Sequence, residues 1–156
     1  FIPLSKTFTL SFNGEVGIAG GFGGKDLPFW KNYYAGGIGS VRGYESGTIG
    51  PKEYNTLYGT LDSVGGTRRV VGNAELLFPL PGAGMDKSLR LGTFFDIGGV
   101  WGKGESISFA DMRASFGLSV LWSSFMGPIK VSFAQPLRKK ENDRTQRLQF
   151  QMGTTF

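Results

Sequence analysis

Residues 112–123 read MRASFGLSVLWS, and this stretch decides the fold. Every second residue is apolar up to Trp122, and the residues between are mostly small or polar, among them Arg113, Ser115 and Ser119. A period of two is typical of a β-strand, because successive side chains point to opposite faces of a sheet. A helix would instead place apolar residues three and four positions apart. The stretch therefore predicts a strand with one apolar face and one polar face.

Five more stretches alternate with the same period, and none of them carries a charged residue on its apolar face. The opposite faces carry the charges, as Glu75 and Asp96 do on the second and third stretches. With residues 112–123, they give six predicted strands. The five further strands are predicted at 7–18, 69–80, 89–101, 129–135 and 147–156.

Composition narrows the class of protein. Glycine accounts for 26 of the 156 residues and aromatic residues for 14%, which argues against a helical bundle and against disorder. The absence of cysteine and histidine excludes disulfides, Ser-His and Cys-His dyads, and His-ligated zinc sites. An enzyme that uses carboxylates or lysine stays possible on composition alone, but we expect no metal and no cofactor, and the resemblance described below implies no enzymatic activity. The net charge of +5 comes without a basic-aromatic surface motif, so no nucleic-acid partner is expected.

The environment of the apolar faces is a separate question, because a soluble sandwich core and a lipid-facing barrel wall both alternate. Three observations favour the barrel. Most predicted strands are long, and short connections alternate with long ones, as in outer-membrane barrels. Aromatic residues gather at the tight-turn ends, at Phe8, Phe78, Trp122 and Phe156. The predicted fold class is thus all-β, a transmembrane antiparallel β-barrel.

Six strands are too few for a single-chain bacterial barrel, which starts at eight. The chain also opens on Phe1 rather than Met. We therefore expect a C-terminal piece of a larger barrel, whose other strands precede Phe1. On this assignment Leu118 faces lipid and Ser119 faces inward, so an arginine should be costly at Leu118 and better tolerated at Ser119.

The long connection 19–68 carries the most specific motif, Val41-Arg42-Gly43-Tyr44. PFWKNYYAGG precedes it at 28–37, and GTIGPK follows it at 47–52. Further motifs follow in order: FDIG at 95–98, a stretch from Gly-Pro at 127–128 to FAQPL at 133–137, and a last strand ending on Phe156. In these motifs and their order the chain resembles the BamA family of outer-membrane assembly factors, over nearly its whole length.

The resemblance implies a sixteen-stranded barrel, of which these are the last six strands, with 19–68 as the sixth extracellular loop folded into the lumen. It implies the insertion of β-barrel proteins into the outer membrane of a Gram-negative bacterium. Nascent β-barrel proteins, outer-membrane lipid and assembly-machinery lipoproteins, the last through periplasmic domains absent here, would be its partners. Two alternatives stay open: a two-partner-type secretion transporter of the same superfamily, or a passive outer-membrane pore.

The resemblance also implies site residues. It makes Arg42 the tip of a structural loop lock that includes Val41, Gly43 and Tyr44, with Glu75 and Asp96 as its carboxylate partners. Arginine suits such a lock because its planar guanidinium can bind a carboxylate through two hydrogen bonds. The alternative reading is a solvated loop arginine and carboxylates that face lumenal water.

The last strand gives a second candidate site. Phe150, Met152 and Phe156 share one face, which resembles the C-terminal assembly signal of outer-membrane barrels. The same strand would line the seam between the first and last strands, and Gly153 would weaken its pairing there. The charged run 138–144 is predicted to be a solvated loop tip, with lipopolysaccharide phosphates as the alternative.

Overall fold

The computed structural model describes residues 2–19, 33–37, 40–80, 88–102, 105–138 and 144–153. These residues form strands and one turn of 3-10 helix, Phe109–Asp111. In the described ranges no helix has the length and hydropathy to cross a membrane. The strands are β1 (Ile2–Pro3), β2 (Thr9–Ile18), β3 (Gly43–Tyr44), β4 (Lys52–Asn55), β5 (Thr60–Ser63), β6 (Arg68–Pro79), β7 (Leu89–Trp101), β8 (Arg113–Ser124), β9 (Gly127–Pro136), β10 (Thr145–Gln146) and β11 (Leu148–Met152).

One seven-stranded antiparallel sheet organises the chain, in the order β1-β2-β6-β7-β8-β9-β11. Five of the strands are long: β2, β6, β7, β8 and β9. Each pairs with the next long strand over ten or more residues. Two small sheets lie outside it, one formed by β3 and β10 and the other by β4 and β5. Consecutive long strands are always neighbours, so the large sheet is a meander.

The predicted strands and the strands of the structure differ mostly at their ends. The strand predicted at 89–101 has the bounds of β7, and the one at 129–135 extends to Gly127–Pro136. Met112, predicted as the first residue of the fourth strand, instead closes the 3-10 turn by donating its N–H to the carbonyl of Phe109. The connection 19–68 is not a plain loop, because it contains the short strands β3, β4 and β5.

The two faces of the sheet are exposed in the opposite sense to a soluble protein. On β8, Phe116 and Leu118 are exposed, whereas Ser115 and Ser119 on the other face are buried. The apolar faces therefore look outward, and the small polar residues lie beneath the connection 19–68. Trp101 departs from this pattern. Alternation predicts it outward, but its side chain is buried, and a Cβ at Gly99 would lie 2.7 Å from its ring.

The tight-turn end of the sheet carries the expected aromatic residues. The rings of Phe8 and Phe78 lie 6.2 Å apart between centroids, and Trp122 is exposed close to the turn that joins β8 to β9. That turn is short because Gly127 adopts a positive φ of 110°, a conformation that glycine enters without steric cost. Phe156, the fourth aromatic residue of this set, lies outside the described residues.

The last predicted strand can be compared with the structure up to Gly153, because residues 154–156 lie outside the described residues. Within the described part of 147–156, β11 covers Leu148–Met152. Arg147 accepts a hydrogen bond from Ala134 on β9, and the preceding β10 pairs with β3 in the connection 19–68. The C-terminal segment therefore pairs with two different elements, β3 and β9.

Candidate functional site

The motif Val41-Arg42-Gly43-Tyr44 begins with a hydrogen-bonded turn. Gly37 donates its N–H to the carbonyl of Val41 at 3.1 Å, and Gly36 donates to the hydroxyl of Ser40 at 2.8 Å. Gly43 then has a φ of 92°, which a residue with a side chain rarely adopts. These bonds and this glycine direct Arg42 toward the polar face of the large sheet.

Arg42 and Asp96 form a bidentate ion pair. Nε lies 2.7 Å from Oδ2 of Asp96, and Nη2 lies 2.9 Å from Oδ1. The backbone N–H of Arg42 also donates to Oδ2, at 3.0 Å. Arg42 is 3% exposed and Asp96 is fully buried, so both charged groups are shielded from solvent. Three hydrogen bonds from one residue fix the position of the loop against β7.

Glu75 on β6 receives three donors. Arg42 Nη1 lies 3.2 Å from its Oε1, Ser119 donates its hydroxyl to the same oxygen, and Lys130 Nζ lies 3.1 Å from Oε2. Two cations and two carboxylates therefore meet beneath the motif, and their formal charges cancel. The cluster joins the loop to β6, β7, β8 and β9, because each of these strands contributes one member.

Two neighbours complete the setting of the guanidinium. The ring of Phe94 stacks beneath it, with Cζ of Arg42 3.6 Å from the ring centroid, a cation-π geometry. Asn73 donates to Oδ1 of Asp96 at 2.9 Å and to the carbonyl of Ser40 at 2.5 Å. Asn73 lies opposite Asp96 in the β6–β7 register, and so it ties the loop backbone to the carboxylate.

The surroundings of Arg42 favour its charged form. Burial by itself disfavours the charged guanidinium, but hydrogen bonds and the charge of Asp96, together with Glu75, outweigh it and raise the pKa of Arg42. The guanidinium therefore stays positively charged, as arginine does in proteins generally.

The other motif residues are buried and closely packed. Val41 and Tyr44 are fully buried, in one apolar cluster with Ile49, Val71 and Val100. A Cβ at Gly98 would lie 2.7 Å from Val41, and a Cβ at Gly43 would lie 3.0 Å from the methyl carbon of Ala134. The backbone of the motif is thus packed directly against β7 and β9.

Tyr44 makes two polar contacts beyond this packing. Its hydroxyl donates to the carbonyl of Ala114 on β8, at 3.2 Å. Its own carbonyl accepts a hydrogen bond of 2.7 Å from the side-chain amide of Gln149 on β11. The sequence analysis named Ser119 only as an inward residue, and it did not single out Gln149, Asn73, Phe94 or Lys130. Alternation assigns all five to inward faces, and this is the only signal that the sequence holds for them.

The two predicted sites are separate in the structure. Arg42, Glu75 and Asp96 meet in the cluster, with Val41, Gly43 and Tyr44 packed around it. Phe150 and Met152 lie on the opposite, outward face of β11, where both are exposed. Gly153 follows the end of β11 with a φ of 124° and donates its N–H to the carbonyl of Pro128. Phe156 lies outside the described residues.

The arrangement suits mechanical attachment. Each oxygen of Asp96 and Glu75 accepts at least one hydrogen bond, so both carboxylates are fully committed. In the ranges that the structure covers, no group of three or more acidic residues is placed to hold a metal ion. The cluster can hold the connection 19–68 against the sheet.

Known proteins resemble this chain along its whole length. A model of the Omp85 superfamily domain matches residues 1–156. The outer membrane protein assembly factor BamA of Neisseria meningitidis serogroup B is 49% identical over all of this chain, which covers 23% of that protein. BamA of Nitratidesulfovibrio vulgaris is 31% identical over 84% of the chain and 16% of its own length. A SAM50-like protein of Schizosaccharomyces pombe is 29% identical over 97% of the chain and 32% of its own length.

A solved structure resembles the fold. The crystal structure of BamA from Haemophilus ducreyi lacking POTRA domains 1-3 superposes with a TM-score of 0.82 and is 31% identical. The match covers 96% of this chain and 32% of that one. The chain therefore spans about a third or less of the proteins it matches.

Proposed function

We infer the function of this chain from the premise that it belongs to the Omp85 superfamily. We propose that it is the C-terminal part of a transmembrane β-barrel in the outer membrane of a Gram-negative bacterium. The whole protein is an assembly factor that inserts other β-barrel proteins into that membrane. The observation that carries the proposal is the attachment of the Val41–Tyr44 motif to the inner face of the sheet, in a chain with this ancestry.

The barrel has sixteen strands in this proposal, and β2, β6, β7, β8, β9 and β11 are its last six. Exposed apolar residues on the outer face support contact with lipid, because a soluble sheet would bury them. The buried polar inner face supports a filled lumen, with the connection 19–68 as the extracellular loop that fills it.

The mechanism requires no covalent chemistry, and the protein is not an enzyme. A client strand pairs with an exposed strand edge at an openable seam between the first and last strands, as in other cases of β-strand addition. In this chain the seam strand is β11, and Gly153, which follows it, weakens its pairing near the terminus. Local thinning of the bilayer beside the seam lowers the barrier to insertion. Phe150, Met152 and Phe156 form the signal by which the barrel is itself assembled.

The partners follow from this role. Nascent β-barrel proteins are the clients, and outer-membrane lipid surrounds the outer face. Assembly-machinery lipoproteins bind periplasmic domains that lie outside this chain. The charged run 138–144 is predicted to be a solvated loop tip, with a contact to lipopolysaccharide phosphates as the alternative, and its residues 139–143 lie outside the described residues.

Reconstitution tests the proposal. The full-length protein that contains this segment is placed in liposomes, and the folding of an eight-stranded client is followed by its heat-resistant gel mobility. We expect the client to fold several times faster than in empty liposomes, and Arg42→Ala to remove most of this gain. Arg69→Ala is the matched control, because Arg69 pairs with Glu15 in a setting that is only partly buried, with side chains 17% and 47% exposed.

Three outcomes would overturn the proposal. Client folding at the rate seen in empty liposomes would reject assembly activity. A large, stable single-channel conductance without client folding would instead identify a passive pore. Export of one dedicated protein, with no effect on other clients, would identify a secretion transporter.

A further inference from the structure

The loop motif contacts the last strand as well as the middle of the sheet. Gly43 and Tyr44 pair with Gln146 and Thr145 of β10, the segment that leads into β11. Glu45 extends this contact by donating its N–H to the carbonyl of Arg144 at 3.0 Å. Residues 144–146 are therefore hydrogen-bonded to the loop, whereas Arg147 accepts a hydrogen bond from Ala134 on β9.

A buried side chain adds a second connection. Gln149 lies within β11 and donates its amide to the carbonyl of Tyr44 at 2.7 Å. Both residues are nearly or fully buried, so water does not compete for this bond. Gln149 lies opposite Ser132 in the register with β9, and it therefore sits between the loop and the neighbouring strand.

The pairing of β11 within the sheet is short. It pairs with β9 over five residues, from Leu148 to Met152, whereas β8 and β9 pair over ten. In the sheet as described, β11 is the edge strand and has no strand paired on its other side. Its outward residues Phe150 and Met152 are more than half exposed. Contacts with the loop therefore supplement a short strand pairing.

We propose that Gln149 is a positioning residue that couples attachment of the loop motif to the order of the last strand. Arg42 fixes the motif on β6 and β7, and the carbonyl of Tyr44, two residues further, holds Gln149. Release of Arg42 therefore loosens β11, although the two do not touch. In the proposed function, this coupling controls the strand edge with which a client pairs, and that part of the inference rests on the proposed function.

The chemistry of the side chain makes the proposal specific. A glutamine amide is a neutral donor long enough to reach the Tyr44 carbonyl from β11. Alanine and leucine at this position leave the carbonyl without that donor, and glutamate places an acceptor against it. Loss of one buried hydrogen bond shifts an opening equilibrium by about two- to tenfold.

Hydrogen–deuterium exchange of the full-length protein tests the coupling without any client. We expect Gln149→Ala to raise the opening equilibrium of the β10–β11 amides by about two- to tenfold. Arg42→Ala should raise it at least as much at the same amides. The double variant should match Arg42→Ala alone, because a released loop no longer holds Gln149. Gln151→Ala, on the same face and strand but further from Tyr44, is the control and should have a smaller effect.

Several results would overturn the proposal. These are unchanged β10–β11 exchange in Arg42→Ala, a double variant equal to the product of the single effects, or equal effects of Gln149→Ala and Gln151→Ala. Exchange in β7 and β8 reports on the whole fold. If it also rises in Arg42→Ala, the same cycle is run with Glu75→Gln, which removes a single loop contact. Client folding is measured separately, so coupling without client folding would reject only the proposed function.

Discussion

Two arginine–carboxylate pairs lie on the same polar face of the sheet and differ mainly in their access to water. Arg42 Nε lies 2.7 Å from Asp96, and their side chains are 4% and 0% exposed. Arg69 Nη1 lies 3.0 Å from Glu15, and their side chains are 17% and 47% exposed. Similar distances therefore do not mean similar energies. An exposed pair contributes less than about 1 kcal/mol, whereas breaking a buried pair costs about 3–5 kcal/mol.

The origin of the difference is the element that supplies each arginine. Arg69 and Glu15 belong to neighbouring strands, where Glu15 lies diagonally across from Arg69 in the β2–β6 register. Arg42 arrives on a loop that covers the sheet and brings Val41 and Tyr44 with it. The loop excludes the water that the exposed pair retains. Breaking the buried pair is costly mainly because it leaves a charged group without its partner in a place from which the loop has excluded water.

The largest expected effect is that of Arg42→Ala, because this change strands both Asp96 and Glu75. In the intact protein we expect a loss of about 3–5 kcal/mol in the free energy of unfolding. Arg42→Lys should restore only part of it, because an ammonium cannot make the planar two-point contact. Denaturant titration in detergent, with heat-resistant gel mobility, measures both. A loss below about 1 kcal/mol would make the two pairs equivalent.

Asp96→Asn changes the other partner of the Arg42–Asp96 ion pair. It removes the charge that meets Arg42, so a loss comparable to that of Arg42→Ala is expected, about 3–5 kcal/mol. The double change should cost less than the sum, because either single change already breaks the pair. Strict additivity of the two free energies would show that the residues do not act together.

The outer face gives a third environment, with no water and no partner. Leu118→Arg should cost about 2–4 kcal/mol if the residue lies near the bilayer midplane. Ser119 is not the tolerant inward site that alternation predicted, because it is 1% exposed and bonds Glu75. Asn13→Arg is the better control, since Asn13 is exposed on the inner face of β2. Equal losses at Leu118 and Asn13 would contradict the lipid-facing assignment.

Gly43→Ala tests the backbone that aims Arg42. A φ of 92° is unfavourable for alanine, and the new Cβ would meet Ala134 at 3.0 Å. We expect a loss of about 1–2 kcal/mol, the usual cost of a left-handed residue. Gly47→Ala, with a φ of 71° but nothing closer than 3.9 Å, separates the backbone term from the contact with Ala134. Equal losses of unfolding free energy in the two variants would show that the close contact with Ala134 adds nothing to the backbone cost at Gly43.

The smallest expected effect is that of Arg69→Ala. Its pair with Glu15 retains water, so the free energy of unfolding should fall by less than about 1 kcal/mol, and by less still at high salt. Measurement in the same titration as Arg42→Ala completes the comparison. A loss of 3 kcal/mol or more, roughly the cost of breaking a buried pair, would show that exposure does not separate them.

The sequence by itself predicted the long strands, most of their faces and the residues of the motif. Alternation depends only on local chain geometry, so it located β7 to the residue and assigned Glu75 and Asp96 to the inner face. The pairing of Arg42 with these carboxylates was implied by the family resemblance and not by the periodicity. Tertiary structure decided the rest. Phe94, Asn73 and Lys130 join Arg42 only because of strand register and the depth at which the loop lies, and β10 leaves β9 only because the loop offers another partner. These choices join residues far apart in the chain, where no periodicity can record them.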